Sequence, residues 1–142
     1  MTPGTAYPHI TRLIPQRDPI LMVDALLEAD GDTAKTCLTI RPGNYFLDED
    51  NCLDETGLVE HIAQSASALA GYKALRQGAE VPPVGYIGEV KKFRCLRRPH
   101  LGETLTTTIT LGAETGGVTL LTGETRVGEE TVAATQMKIF IA

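Results

Sequence analysis

The hydrophobic pattern divides the chain into three stretches of different period. From Ile20 to Leu27 apolar residues run almost unbroken, bounded by Pro19 and by Asp30-Gly31-Asp32. From Thr33 to Thr39 the period is two, with Ala34, Thr36 and Leu38 set against Lys35, Cys37 and Thr39. The turn signal at Gly31 joins the two runs into a predicted β-hairpin, and Pro42-Gly43-Asn44 ends it. Ahead of it, residues 1–9 read as a loose arm with Pro3, Gly4 and Pro8, and Ile10 to Ile14 as one short helical turn before Pro15.

The second stretch predicts a long helix from Glu55 to Gln77, after an irregular acidic segment from Tyr45 to Asp54. Leu58, Ile62, Ser65, Leu69 and Tyr72 follow helical spacing. Asp54 or Thr56 serves as N-cap and Gly78 as terminator. From Ala63 to Gly71 nearly every residue is small, so other backbone can approach from most sides; the helix reads as buried rather than surface-lying.

After Val81-Pro82-Pro83 the period returns to two. Four strands are predicted: Val84 to Leu96, with a bulge around Lys91-Lys92; Thr104 to Leu111; Gly116 to Val127; and Thr131 to Ile141. The last carries Ala133, Met137, Ile139 and Ile141 on one face. Two strands, one helix and four strands joined by hairpin-length turns make an α+β fold, one antiparallel sheet against one helix. Residues 1–142 read as one domain without repeats, a length at which about 68–70% of the chain's surface is buried on folding.

Composition narrows the function classes. The chain is 42% hydrophobic and 22% charged, with a net charge of −5. An acidic chain with no tryptophan and 5% aromatic residues is poorly equipped to neutralise phosphates or stack bases, so no nucleic-acid partner is expected. No signal peptide or membrane span is visible, and Cys37, Cys52 and Cys95 read as free buried thiols of a cytoplasmic protein. No metal-ligand spacing, phosphate loop or nucleophile elbow is present, and no metal or cofactor is expected. His9 and His100 read as solvated loop residues.

Two features carry candidate chemistry. Glu60 and Gln64 are four apart on the central helix and share a face that Ser67 and Gly71 continue. That face either meets solvent, leaving Glu60 a surface charge, or is enclosed. An enclosed carboxylate near a helix N-terminus is drawn toward charge by the dipole and toward neutrality by burial, which suits a general acid/base. Gln64 is placed to orient it. His61 points about 100° away round the helix. The second feature is Lys91, Lys92, Arg94, Arg97 and Arg98, five of the thirteen basic residues in eight positions. It reads as a strand edge blunted by charge, as a docking patch for an anionic partner, or as both.

The residues also resemble a known family. Leu13-Ile14-Pro15-Gln16-Arg17-Asp18-Pro19-Ile20-Leu21-Met22-Val23-Asp24 is similar to the "LLPHRxPFLLVD" opening of FabZ-type 3-hydroxyacyl-acyl-carrier-protein dehydratases. Gly57-Leu58-Val59-Glu60-His61-Ile62-Ala63-Gln64 resembles their "GVLxxEAMAQ" helix start. Tyr86 to Arg94 resembles "FAGIDEARFKRPV", and Leu101-Gly102-Glu103-Thr104-Leu105 resembles "PGDxL". The set is collinear over nearly the whole chain. It implies a hot-dog fold, a long central helix wrapped by a curved antiparallel sheet, in a homodimer or a heterodimer with a paralogue.

The resemblance implies Glu60 as the carboxylate that handles the leaving hydroxyl, and substrate contacts at Gly57, Gly88 and Phe93. The family's "GHFP" histidine is missing: Tyr45 to Asp54 contains no His. With Phe46-Leu47-Asp48 there, the chain looks closer to the dehydratase-like proteins of aryl-polyene and flexirubin-type clusters. His61 or Asp48 is then the candidate replacement base. The expected function is dehydration of 3-hydroxyacyl thioesters on acyl carrier protein. The alternatives are a hot-dog thioesterase, and a non-catalytic subunit that binds carrier protein or a catalytic paralogue. In this light Lys91, Lys92, Arg94, Arg97 and Arg98 become the expected docking patch for an acidic carrier protein and its phosphopantetheine arm.

Overall fold

The structure, a computed structural model, describes residues 7–141, with the backbone alone of Ile141. Most of the expected N-terminal arm and the inner-face position of the Ile141 side chain therefore lie outside the described residues. Strands β1 (Ala25–Asp30) and β2 (Thr33–Thr39) precede the helix α1 (Glu55–Arg76). Strands β3 (Gly85–Cys95), β4 (Thr104–Thr115), β5 (Val118–Val127) and β6 (Glu130–Ile141) follow it. All six form one sheet in the order β1-β2-β4-β5-β6-β3, with every neighbouring pair antiparallel. The chain thus crosses from β2 through α1 to the far edge, where β3 pairs with β6 alone. A single turn of 3-10 helix stands at Ile10–Arg12, where the short helical turn was expected.

The helix packs against all six strands. Every residue from His61 to Leu69 is buried, so α1 has no solvent stripe over that length. Small side chains permit this. A carbon added at Gly71 would lie 1.8 Å from the Leu13 carbonyl oxygen, and one at Gly123 of β5 would lie 2.6 Å from Ile62. The sheet is pressed onto the helix at one point and the N-terminal turn at the other. Asp54 caps the helix, its carboxylate accepting from the Thr56 amide at 2.9 Å, and Gly78 follows its C-terminus with φ +95°.

The apolar run from Ile20 departs from the expected strand. β1 begins only at Ala25, because residues 20–22 take their hydrogen bonds from helix side chains instead of from a neighbouring strand. The Met22 amide donates to Gln64 Oε1 at 2.6 Å, and the Ile20 carbonyl accepts from Gln64 Nε2 at 2.8 Å. His61 Nδ1 lies 2.6 Å from the Met22 carbonyl. A carbonyl only accepts, so Nδ1 carries the proton and neutral Nε2 accepts from the Thr107 hydroxyl at 2.7 Å. Thr107 in turn accepts from Thr125 at 2.7 Å. The chain of donors runs from β5 through β4 and the helix to the N-terminal segment.

Inner positions alternate as the sequence indicates: Ala34, Thr36 and Leu38 on β2, Leu105, Thr107 and Ile109 on β4. The expected bulge at Lys91-Lys92 is present, Lys92 having φ +50°, and a second falls between Ile87 and Glu89. Eight of the eleven β3 residues are exposed and none is buried. Among the described residues no helix is long and apolar enough to cross a membrane. The three cysteines are free but half-buried rather than buried, and desolvation raises the thiol pKa of Cys37 and Cys95.

Two consequences are measurable. Gly71→Ala forces a carbon onto backbone and should cost about 3 kcal/mol of unfolding free energy in urea titrations. Gly112→Ala, whose added carbon meets nothing nearer than 3.4 Å, should change it little. The second concerns His61, whose burial lowers its pKa to about 4 from 6.5. Between those values the unfolded chain binds the extra proton, so stability is complete above pH 6.5 and falls as pH drops toward 4. The loss should be of the order of 3 kcal/mol, and this step should be missing from the pH profile of His61→Leu.

Candidate active site

Four residues of one helix face, Glu60, Ala63, Gln64 and Ser67, form the floor of a cavity of about 270 Å³. Its walls are Gly85, Tyr86 and Ile87 at the start of β3, Ile139 of β6, and Gln16 from the loop before β1. Because β3 is the sheet edge, this cavity lies where the sheet stops.

The spacing of four residues brings Glu60 and Gln64 into contact: Gln64 Nε2 donates to Glu60 Oε2 at 2.7 Å. The same nitrogen donates its other hydrogen to Ile20 O, and Gln64 Oε1 accepts from Met22 N. Both amide hydrogens of Gln64 are thereby engaged, and its rotamer is fixed from three directions. Glu60 itself is half-buried. One of its oxygens is held and the other has no hydrogen-bond partner among the described residues. A carboxyl group fixed in this way, in a largely apolar recess, is equipped to exchange a proton with a bound molecule.

The other sequence candidates do not line this cavity. His61 is fully buried with both ring nitrogens bonded, and burial keeps it neutral. Asp48 accepts from the Cys52 and Asp50 amides and from Arg98. The Cys52 bond, followed by that of Arg98, holds its carboxyl below the usual range, which makes it a weak base. Gly57 gives its amide hydrogen to Asp54 O at 2.9 Å, and its missing side chain admits Phe46. Gly88 faces Phe140 in a different depression. Phe93 packs with the core around Met22, Leu38 and Leu105. His9 and His100 are exposed, as expected.

The basic cluster is also rearranged by its partners. Arg97 bridges Glu103 at 2.8 Å and Glu130 at 3.0 Å, and Arg98 binds Asp48 at 2.5 Å. Lys91 lies 3.7 Å from Glu89. Lys92 and Arg94 are exposed and make no ion pair among the described residues. They border a depression of about 1000 Å³ on the outer sheet face, with Lys35, Arg126 and a row of threonines. Its one carboxylate, Glu124, is tied to Arg126 at 2.7 Å. No cluster of three or more potential metal ligands occurs among the described residues.

Sequence reasoning missed Gln16, Gly85, Tyr86, Ile87 and Ile139. The helix face was readable from spacing, but the wall residues depend on how β3 closes over it. Two bulges shift that register, so Tyr86 and Ile87 reach the cavity where Gly88 was expected.

Comparison with known proteins agrees with this architecture. The chain is similar to the dehydratase heterocomplex ApeI:P from Xenorhabdus doucetiae, with TM-score 0.88 and 16% identity over 96% of this chain and 92% of that one. It is also similar to Cj0977, a sigma28-regulated virulence protein from Campylobacter jejuni, with TM-score 0.71 and 14% identity over 99% and 90%. The E. coli PaaI protein from the phenylacetic acid degradation operon gives TM-score 0.61 and 18% identity over 81% and 80%. These likenesses show a hot-dog fold. No curated protein matches in sequence. The family model described as ApeP dehydratase matches residues 8–142, and the chain therefore belongs to the ApeP-like family, a divergent hot-dog dehydratase group of the aryl-polyene type.

Proposed function

We propose that this chain takes part in removing water from a 3-hydroxyacyl thioester carried on acyl carrier protein, with Glu60 as the acid. The observation that carries the reading is the held carboxyl group in the cavity, with Gln64 fixing one oxygen and the other left for a ligand. In the forward step the bond from C3 to the hydroxyl breaks. Glu60 delivers its proton to the departing oxygen, water leaves, and a base removes a proton from C2 as the double bond forms. Gln64 is a positioning residue.

The base comes from a second subunit. Neither His61, enclosed and neutral, nor Asp48, held ionised by amides and Arg98, has the geometry for that role. The cavity wall at Gly85, Tyr86 and Ile87 belongs to the free edge strand, where another chain can add. The likeness to the dehydratase heterocomplex ApeI:P supports a heterodimer with a paralogue, and that paralogue would supply the histidine that Tyr45 to Asp54 lacks. Lys92 and Arg94, unlike Arg97 and Arg98, retain charge for an acidic carrier protein. Gly57 supports the reading by letting Phe46 close against the helix start rather than by touching substrate.

Incubation with 3-hydroxyacyl-carrier-protein, alone and with a histidine-bearing hot-dog paralogue, tests this by mass spectrometry. Loss of one water from the carrier-bound acyl chain supports the proposal. Release of free acid would support a thioesterase instead, and no change in either arm a non-catalytic subunit. Glu60→Gln should lower turnover by roughly 10²–10⁴. Lys92→Glu with Arg94→Glu should raise KM for carrier-bound substrate at low salt, and the difference should shrink as salt rises. An unchanged KM at low salt would remove the docking assignment.

A further inference from the structure

Gln16 carries a feature that the catalytic reading leaves unused. Its side-chain carbonyl oxygen is buried and has no hydrogen-bond partner among the described residues. Gln16 lines the same cavity as Glu60. Buried acceptors are nearly always paired, so an orphan on a cavity wall calls for a donor from outside the chain.

The polar surroundings define that donor. Gln64 has no hydrogen left to give, both being held by Glu60 and Ile20. Ser67, the hydroxyl on the floor, makes no bond to Gln16. The neighbouring Arg17 is turned away, bonded to the carbonyls of Ile14, Gln16 and Thr11. The lining of the cavity therefore holds one unpaired acceptor, on Gln16, and one unpaired carboxyl oxygen, on Glu60, which donates when protonated. A hydroxyl group fits this pair. Its oxygen takes the proton that a protonated Glu60 supplies, and its own hydrogen needs a second acceptor.

We propose that Gln16 accepts a hydrogen bond from the 3-hydroxyl of the substrate and so aligns it with Glu60. The assignment rests on the dehydration reading for its substrate, and it deepens that reading by naming what distinguishes a hydroxylated acyl chain from a saturated one. The proton balance closes. The leaving oxygen keeps its original hydrogen, directed at Gln16, and gains the second from Glu60 as the C3–O bond breaks. A saturated acyl chain has no hydrogen to offer, so it leaves the Gln16 oxygen unpaired and binds less well.

The test compares two probes that undergo no elimination or hydrolysis on the binding timescale, the pantetheine amides of 3-hydroxybutyrate and of butyrate. Calorimetry on the purified full chain should show the hydroxylated probe preferred by about tenfold, the scale of one hydrogen bond. Gln16→Met, of similar length but without an acceptor, should abolish the preference by weakening the hydroxylated probe alone. Its thermal midpoint should stay level or rise, since an orphan polar atom is replaced by an apolar one; a merely structural glutamine would lower it. Gln16→Glu, which keeps an acceptor at the same reach, should retain the preference. Equal binding of the two probes to the parent chain, no binding of the hydroxylated one, or an unaltered preference in Gln16→Met overturns the inference. Hydroxyl preference that depends on Gln16, in a protein that never releases water from a thioester, supports the inference while overturning the dehydration reading.

Discussion

The interaction on which the rest depends is the bonding of residues 20–22 to side chains of the helix. This backbone has no strand beside it, so Gln64 and His61 supply what a neighbouring strand would. Buried amides and carbonyls without partners are expensive, so the segment can lie against the helix only because those two side chains are there. Gln64 then turns its remaining hydrogen to Glu60. The bond that holds the N-terminal segment and the bond that holds the carboxyl group belong to one amide. Fold and site are coupled at a single residue, and the orientation of Glu60 is set when the protein folds rather than when a ligand arrives.

Much of this was legible in the sequence, for identifiable reasons. The helix announces itself through its cap, its spacing and its terminating glycine. Glu60, Gln64 and Ser67 share a face by periodicity alone, and that face lines the cavity. Burial on all sides could be read from Ala63, Ser65, Ala66, Ser67, Ala68 and Gly71, since small residues leave room for other chain to approach. What was not legible depends on contacts between distant segments. Gln16 stands in a loop with no periodicity to place it. Two bulges decide which β3 residues face inward, and a one-residue shift exchanges the faces. His61 adjoins Glu60 in sequence, but the pitch of the helix turns it away from the cavity into a threonine network.

The charge pattern shows the same limit. Five cations within eight residues look like one patch, yet Arg97 and Arg98 bind carboxylates from other parts of the chain and Lys91 lies beside Glu89 of its own strand. Arg97 clamps Glu103 to Glu130 and so ties the turn before β4 to the start of β6. Arg98 secures the Asp48 loop that packs beside the helix start. These arginines serve the architecture, and the Arg97–Glu103 pair is partly shielded from solvent, which makes its contribution larger than that of an open surface pair. Lys92 and Arg94 keep their charge for the surroundings.

The position of β3 has a further consequence. An eleven-residue strand at a sheet edge offers backbone donors and acceptors to any extended chain that meets it, including misfolded copies. Its two bulges break the regular ladder, and Lys91, Lys92 and Arg94 place charge along the exposed stretch. A strand interrupted in this way accepts a partner whose own irregularities match and refuses an ordinary flat one. The edge thereby filters its neighbours by shape and disfavours pairing with misfolded copies.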